Sequence, residues 1–288
     1  MTLEKKQGIL TQNLHEFSKK QNIAAQQRAL TVSELARLYC EQYKDSVIML
    51  DALNEAISDF SVNDEIIFLS ELCRSELADK IRDALFIGST EPTSAGSHSK
   101  ISYLKNKYND IAFEHFSHSV ANAKPDYASS FAECCENVFD ERCEYCILPI
   151  MNSTDGRLMS FYNLLDRYDL KISSTVDIDG DDSSSFKHAL IVRSCKEQRA
   201  RMNKNQRYVF EFSLTTESTD FFAPLFEAAA QTDARLLCVD SIPVEYAADM
   251  QKFFFSFSIP SQSALAFRLF VALKHQAYTP IGIYKEIN

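Results

Sequence analysis

Glycine is scarce, with six in 288 residues. Neither G-x-G-x-x-G nor G-x-x-x-x-G-K-[ST] occurs, which removes the glycine-built phosphate cradles of dinucleotide and P-loop folds. Positive charge is also short. The formal net charge is -10, and the longest basic piece, "KEQRARMNKNQR" (196–207), falls where a solvated connector is expected. Nonspecific nucleic-acid binding is therefore disfavoured. Long apolar runs are missing too. The N-terminus, "MTLEKKQGILTQNLHEF", has no apolar h-region, and the longest apolar helix candidate, "SALAFRLFVALKH", is too short to span a bilayer and carries Arg268. A cytoplasmic protein with no membrane contact is expected. Its eight irregularly spaced cysteines are expected to be reduced thiols.

What is present describes an ordinary globular chain, 45% hydrophobic and 24% charged, long enough for two or three domains. Residues 1–83 read as helical. "TVSE" (31–34) has the form of a capping box ahead of Leu35, Leu38 and Tyr39, and "SVNDE" (61–65) places a cap and two acids before a further helix. In that helix Leu69, Cys73, Leu77, Ile81 and Leu85 recur every four residues as one apolar stripe. From residue 84 the character changes. "ALFIG" reads as a strand before a loop rich in Ser, Thr, Gly and Pro, "KISYLKNKY" as a helix, "IAFEHF" as a strand and "SSFAECCENVFD" as a helix. "YCILPI", the "MNSTDGRL" turn, "MSFYNLLDRY" and "LKISSTVDI" follow as strand, turn, helix and strand. Strands alternating with helices imply parallel pairing. After the acidic break "DGDDSSS" and the strand "FKHALIVRS", residues 206–288 spell β-α-β-β-α-β, the order of the ferredoxin-like arrangement.

Several residue groups invite chemical readings. Cys134, Cys135, Cys143 and Cys146 could be a zinc set, but the first two are adjacent on a helix, where side chains diverge, and Cys146 lies within a buried strand. His115 and His118 lack an acidic partner at ligand spacing, so no metal and no cofactor is expected. No feature marks a Cys-His nucleophile pair. Asn152, Ser153 and Thr154 follow the end of a buried strand, where open α/β sheets place ligands, and each carries a short polar group. Two readings stand for them: they line a pocket, or they cap the next helix.

The stretch "SFAECCENVFDERCEYCILPIMNSTDGRLMSFYNLLDRYDLKI" (130–172) resembles the prephenate dehydratase family, with its V-P-I-E-N-S-x-x-G turn, D-L-L helix and L-K-I strand. Gly96, Ser97, His98 and Ser99 resemble the family's G-[TS]-[FY]-S loop. The terminal unit is similar to the ACT regulatory domain of that family, with Asp240-Ser241-Ile242-Pro243 in the place of E-S-R-P. The N-terminal helices resemble in part the chorismate mutase module of fused relatives, through "VNDEIIFLSELCRSEL". The resemblance implies a multidomain α/β and α+β protein. A helical domain at 1–83 would precede half of a periplasmic-binding-protein-like α/β domain at 84–195 and an ACT-like ferredoxin-like domain at 206–288.

The function implied is conversion of prephenate to phenylpyruvate, which expels hydroxide and carbon dioxide as the ring becomes aromatic. Gly96, Ser97, Ser99, Asn152, Ser153 and Thr154 would bind the substrate. Asp240 and Ser241 would bind a regulatory ligand such as phenylalanine, and a homodimer is expected. The family's T-R-F motif has no counterpart. Its place falls on Ser184-Ser185-Phe186 or Phe186-Lys187-His188, so Ser184, Ser185 or Lys187 would supply the acid and the cation, or these residues simply begin a strand. The family's second lobe is also missing. These departures imply an alternative, a catalytically inactive relative that senses an aromatic amino acid or serves assembly.

Overall fold

The structure, a computed structural model, describes residues 3–44, 50–85, 99–180, 184–193, 203, 205–244, 247–275 and 278–287. Two compact units emerge, residues 1–84 and 85–288.

The first unit is helical: α1 (Leu3–Tyr43), α2 (Leu50–Ala56), α3 (Val62–Arg74) and α4 (Ala78–Ala84). Ser61 caps α3 as expected. Its hydroxyl oxygen accepts from the Asp64 amide at 3.3 Å and donates to the Asp64 carboxylate at 2.7 Å. The buried carboxylate also pairs with Arg28 of α1 at 2.6 Å, and these donors hold its pKa below the usual carboxylate range, the Arg28 hydrogen bond contributing most. "TVSE" is not a cap. Thr31 lies inside α1 and its hydroxyl donates to the Gln27 carbonyl at 3.0 Å, an i-4 bond that lets the helix run on. The four-residue stripe is also split between two helices. Ser75 ends α3, its hydroxyl donating to the Leu72 carbonyl at 2.7 Å, and Leu77 and Ile81 are buried beyond the break.

The second unit is built on one mixed sheet of order β2-β1-β3-β6-β5-β10-β7-β9-β8. In chain order it runs β1 (Lys100–Leu104), α5 (Lys107–Ser117), β2 (Lys124–Ala128), α6 (Phe131–Phe139), β3 (Tyr145–Asn152), β4 (Gly156–Arg157), α7 (Met159–Arg167), β5 (Lys171–Asp179) and β6 (Ser185–Val192). Then come β7 (Arg207–Thr216), α8 (Phe222–Gln231), β8 (Arg235–Val244), β9 (Ala247–Pro260), α9 (Ala264–Lys274) and β10 (Tyr278–Ile287).

Helix and strand exchange places between 100 and 117 relative to the sequence reading. "KISYL" is a strand and "KYNDIAFEHFS" a helix. Ile101, Ser102 and Tyr103 are all buried because β1 lies between two other strands, which erases the alternation that would have marked it. His115 and His118 accordingly sit at the end of α5 rather than on a strand. The edge strand β2, "KPDYA", is mostly exposed and carries no apolar signal. Most of "ALFIG" lies outside the described residues.

Pairing departs from all-parallel in the same region. β1 runs parallel to β2 and β3, but β6 is antiparallel to both β3 and β5. The reason is length. Only residues 180–184 join β5 to β6, whereas a parallel crossover needs about a dozen residues. The terminal βαββαβ segment follows expectation, with antiparallel order β10-β7-β9-β8. One face of its sheet meets aromatic side chains of α8 and α9, Phe222 against Phe255 and Phe267 against Phe257. On the other face Val209, Phe254 and Ile281 share a core with Tyr162 and Leu165 of α7. β10 pairs parallel with β5, so both halves share one sheet.

Candidate functional site

Chain direction selects the site. From β1 the chain crosses by α5 to β2 on one side, then by α6 to β3 on the other side of β1. In an open α/β sheet such a reversal leaves a crevice beyond the carboxyl ends of the two central strands. Here those ends are the β1–α5 loop with the first turn of α5, residues 105–109, and the turn that follows β3.

That turn is a tight hairpin. Asn152 of β3 pairs with Gly156 of β4 across a loop of Ser153, Thr154 and Asp155. Gly156 has φ +71°, and a Cβ there would meet nothing within 4 Å, so the position asks for glycine through its backbone angle alone. The Asn152 amide oxygen accepts from the Thr154 amide at 2.9 Å and from the Asp155 amide, while its nitrogen donates to the Asp155 carboxylate at 2.8 Å. Asn152 therefore builds the turn. Ser153 ties the turn to β6: its amide donates to the Ser185 carbonyl and its Oγ accepts from the Ser185 amide, both at 2.9 Å. Ser153, Thr154 and Asp155 are exposed.

On the other side of the crevice Asn106 caps α5, its side chain accepting from the Asn109 amide at 2.9 Å, and Asn109 donates back to the Leu104 carbonyl at 2.7 Å. Lys105 and Lys107 are exposed beside this cap. The Tyr108 ring lies 4.9 Å from that of Phe186, which pairs with Asn152, so the two sides of the crevice meet through an aromatic contact. Sequence reasoning missed residues 105–109. The signal was an Asn followed by an acid in a first turn, Asn106 and Asp110, hidden by the misplaced helix start.

The other sequence candidates disperse. Ser99 sits before β1, its carbonyl accepting from Lys124, at the strand end opposite the turn. Gly96 and Ser97 lie outside the described residues, as does His98. Ser184 accepts the Gly180 amide through its carbonyl in the β5–β6 link, and Ser185 opens β6. Lys187 lies 3.6 Å from the Asp177 carboxylate. Because side chains alternate along a strand, Lys187 faces away from Phe186 and His188. His188 is 2% exposed and its Nδ1 is buried without a partner; burial pushes its pKa down to about 4, so it is a neutral imidazole.

The cysteines stay with the core. Burial pushes the thiols of Cys134 and Cys143 up to about 12, and that of Cys146 is raised as well, which makes poor nucleophiles. Among the described residues no three His, Cys, Asp or Glu side chains are placed to hold a metal, and no cysteine is in a disulfide. No described helix is long and apolar enough to cross a membrane.

Immediately after the turn, Arg157 carries the hairpin into the βαββαβ sheet. Its side chain is 1% exposed. Nη2 donates to Ser256 Oγ and lies 3.6 Å from the Glu211 carboxylate, Nε lies 3.4 Å from the Asp240 carboxylate, and the guanidinium stands 4.9 Å over the Tyr162 ring. Ser256 and Tyr162 both donate to Glu211, at 2.6 Å and 3.1 Å. Burial works against the Arg157 charge, yet Tyr162, Glu211 and Asp240 hold its pKa above the ordinary arginine value. Ser241 is the next residue on β8 and points to the opposite face from Asp240, so the two do not converge. Asp220, Phe221 and Phe222 stand where the resembling family has Gly, Ala and Leu, and the two phenylalanines are packed on Phe253 and Phe255.

Residues 105–199 match the prephenate dehydratase family model. This part of the chain is prephenate-dehydratase-like. The match begins at the β1–α5 loop and includes the hairpin and β6, but not Gly96, Ser97 or Ser99. A prephenate dehydratase structure from Streptococcus mutans superposes with a TM-score of 0.52 at 13% identity, spanning 66% of this chain and 100% of that one. GqqA, reported as a novel type of quorum quenching acylase, superposes with a TM-score of 0.50 at 15% identity, over 64% of this chain and 94% of its own. A prephenate dehydratase in complex with L-Phe from Arthrobacter aurescens gives 0.46 at 11% identity, over 64% and 89%. No curated protein matches the sequence. The first two similarities establish a shared mixed α/β fold.

Proposed function

We propose that this chain is a non-catalytic prephenate-dehydratase-like protein that binds a small aromatic or pre-aromatic carboxylate at the crevice between residues 105–109 and 152–156. On this reading Asn152 shapes the site, while Ser153, Thr154 and the two lysines, Lys105 and Lys107, meet the anion. Hydroxyls, amides and ammonium groups are the donors a carboxylate requires. The observation that carries the non-catalytic part is the length of chain around β6. Five residues, 180–184, precede it and residues 193–206 follow it, which is loop-sized on both sides. A single lobe leaves the bound dianion open to water, and dehydration with decarboxylation needs a proton donor held in a dry, pre-organised site. Arg157 and Asp240 suggest how binding would be read out, because the turn and the βαββαβ sheet are joined through that pair.

Fold similarity alone does not choose the reaction, as a neighbour reported as an acylase illustrates. The lyase reading keeps one point in its favour: Ser153 and Ser185 bring hydroxyl-bearing residues together at one strand end. The deciding measurement is phenylpyruvate production from prephenate, followed at its enol absorbance. The proposal expects the spontaneous rate only, together with a rise in melting temperature when prephenate or phenylpyruvate is added. Turnover above background that disappears in Ser153→Ala would overturn the non-catalytic part. The absence of any shift with either ligand would overturn the binding part. If the terminal unit senses an amino acid, Phe, Tyr or Trp should raise the melting temperature, and Asp240→Ala should remove that shift.

A further inference from the structure

A second crevice lies where β5 begins, at the opposite end of the strands from the β3–β4 turn: β6 pairs with Asn152 through Phe186 and with Lys171 through Val192. β10 pairs with β7 from Tyr278 onward but with β5 only from Gly282, and its register on β7 shifts between Pro280 and Gly282. Pro280 has no N–H to give to a ladder, and among the described residues Thr279, Pro280 and Ile281 have no strand partner on the β5 side. The sheet is split there. The gap, closed on one side by α7, is a crevice of about 280 Å³. Pockets for drug-sized molecules run from about 300 to 1,000 Å³, so its occupant is small.

The lining is apolar and holds one buried cation. Tyr162, Leu165, Leu170, Phe254 and Ile281 form buried walls. Among them Lys171 has a side chain only 4% exposed, and its one hydrogen-bond partner among the described residues is the Asp169 carboxylate, 2.6 Å from Nζ and itself 71% exposed. An ammonium has three N–H donors, so two remain unused at a depth where unused donors are costly. Ser213 is 2% exposed and lines the same crevice, and its hydroxyl has no hydrogen-bond partner among the described residues. Thr279, opposite Ser213 in the β10–β7 ladder, adds a second hydroxyl. Asp166, at the mouth, is already paired with Lys252 at 2.8 Å. The inner side thus offers a cation and hydroxyls without an anion to receive them.

We propose that this crevice binds a small monocarboxylate with a short branched apolar tail, its carboxylate on Lys171 Nζ and the Ser213 hydroxyl and its tail against the apolar walls. Asp169 is solvated, so water replaces Lys171 as its partner at little cost. Asp166 and Asp169 repel a second negative charge, which selects a monoanion over a dicarboxylate. The site is separate from residues 105–109 and 152–156, and it stands whether or not those residues bind a ligand.

Titration calorimetry of the full chain with 3-methylbutanoate tests it. Saturable binding with a Kd of about 1 mM or tighter is expected. The uncharged isostere 3-methylbutanamide and the dicarboxylate methylsuccinate should each bind at least tenfold more weakly. Lys171→Met keeps the apolar stem and should lose at least tenfold, and Ser213→Ala, which removes one hydroxyl, about fivefold. Asp169→Asn should act the other way and tighten binding about threefold or more, because it removes the competitor for the ammonium. Asn also tolerates the left-handed backbone at this position, φ +49°. A role for the Lys171–Asp169 pair in stability alone would not tighten binding in Asp169→Asn. No saturation up to about 50 mM would mean that water alone fills the crevice and would overturn the proposal. So would an amide or a dicarboxylate bound as tightly as the acid, full affinity in Lys171→Met, or weaker binding in Asp169→Asn.

Discussion

Replacing Arg157 with methionine tests whether the buried charge cluster fastens the β3–β4 hairpin to the βαββαβ sheet. The side chains of Arg157 and Glu211 are 1% and 4% exposed. Deleting one partner of a buried pair costs about 3 to 5 kcal/mol, because the other charge remains buried. Glu211 would keep the hydroxyls of Ser256 and Tyr162 as donors, so the lower end, about 3 kcal/mol, is expected. For a unit of this size that corresponds to a fall in melting temperature of about 6 to 12 °C. Glu211→Gln alone leaves Arg157 with the carboxylate of Asp240, which lies 3.4 Å from its Nε but is partly solvated, and should cost a similar amount or somewhat less. The double variant Arg157→Met/Glu211→Gln removes both charges while the new amide can still accept from Tyr162 and pair with Ser256. It should return to within about 1 kcal/mol of the parent. The chain has no tryptophan, so urea or thermal unfolding is best followed by far-UV circular dichroism. Strictly additive losses in the double variant would refute the argument, since they would mean that the two charges do not compensate one another.

Further outcomes follow from other buried groups and from the turn. The pKa of His188 is lowered in the fold, so the unfolded chain binds more protons between about 4 and 6.5; stability should fall by up to about 3 kcal/mol as pH drops through that window, and His188→Phe should flatten the dependence. Gly156→Ala should cost about 1 to 2 kcal/mol through its positive φ alone, read from the urea midpoint, and a larger loss would point to a contact that the open space around its Cβ position does not provide. Ser61→Ala should lower the stability of the helical unit by about 1 kcal/mol, more if the Asp64 carboxylate loses its hydroxyl donor without replacement, as measured by helix content on heating.

The βαββαβ segment was legible because each strand has one face toward helices and an apolar rhythm to match, with breaks at turn residues. Ser61 was legible for a local reason as well, since a cap is satisfied within three residues of itself. The "MNSTDG" turn could be found, but not its wiring. Whether Asn152 turns inward to its own backbone or outward to a ligand depends on hydrogen bonds that competing conformations share.

Where reading failed, non-local burial had removed the local signal. β1 lost its alternation by lying between two strands, and the short apolar run "IAFEHF" after it fits strand and helix alike over so few residues. The sequence by itself determined which segments could be helix or strand, the low capacity for phosphate loops and the resemblance at residues 130–172. Tertiary structure alone decided that β6 enters antiparallel, that β5 joins β10, and that Arg157 is buried against Glu211 and Asp240, residues 54 and 83 positions away in the chain. Pairings of that separation depend on which faces remain uncovered after local structure has formed, and no short window of sequence carries that information.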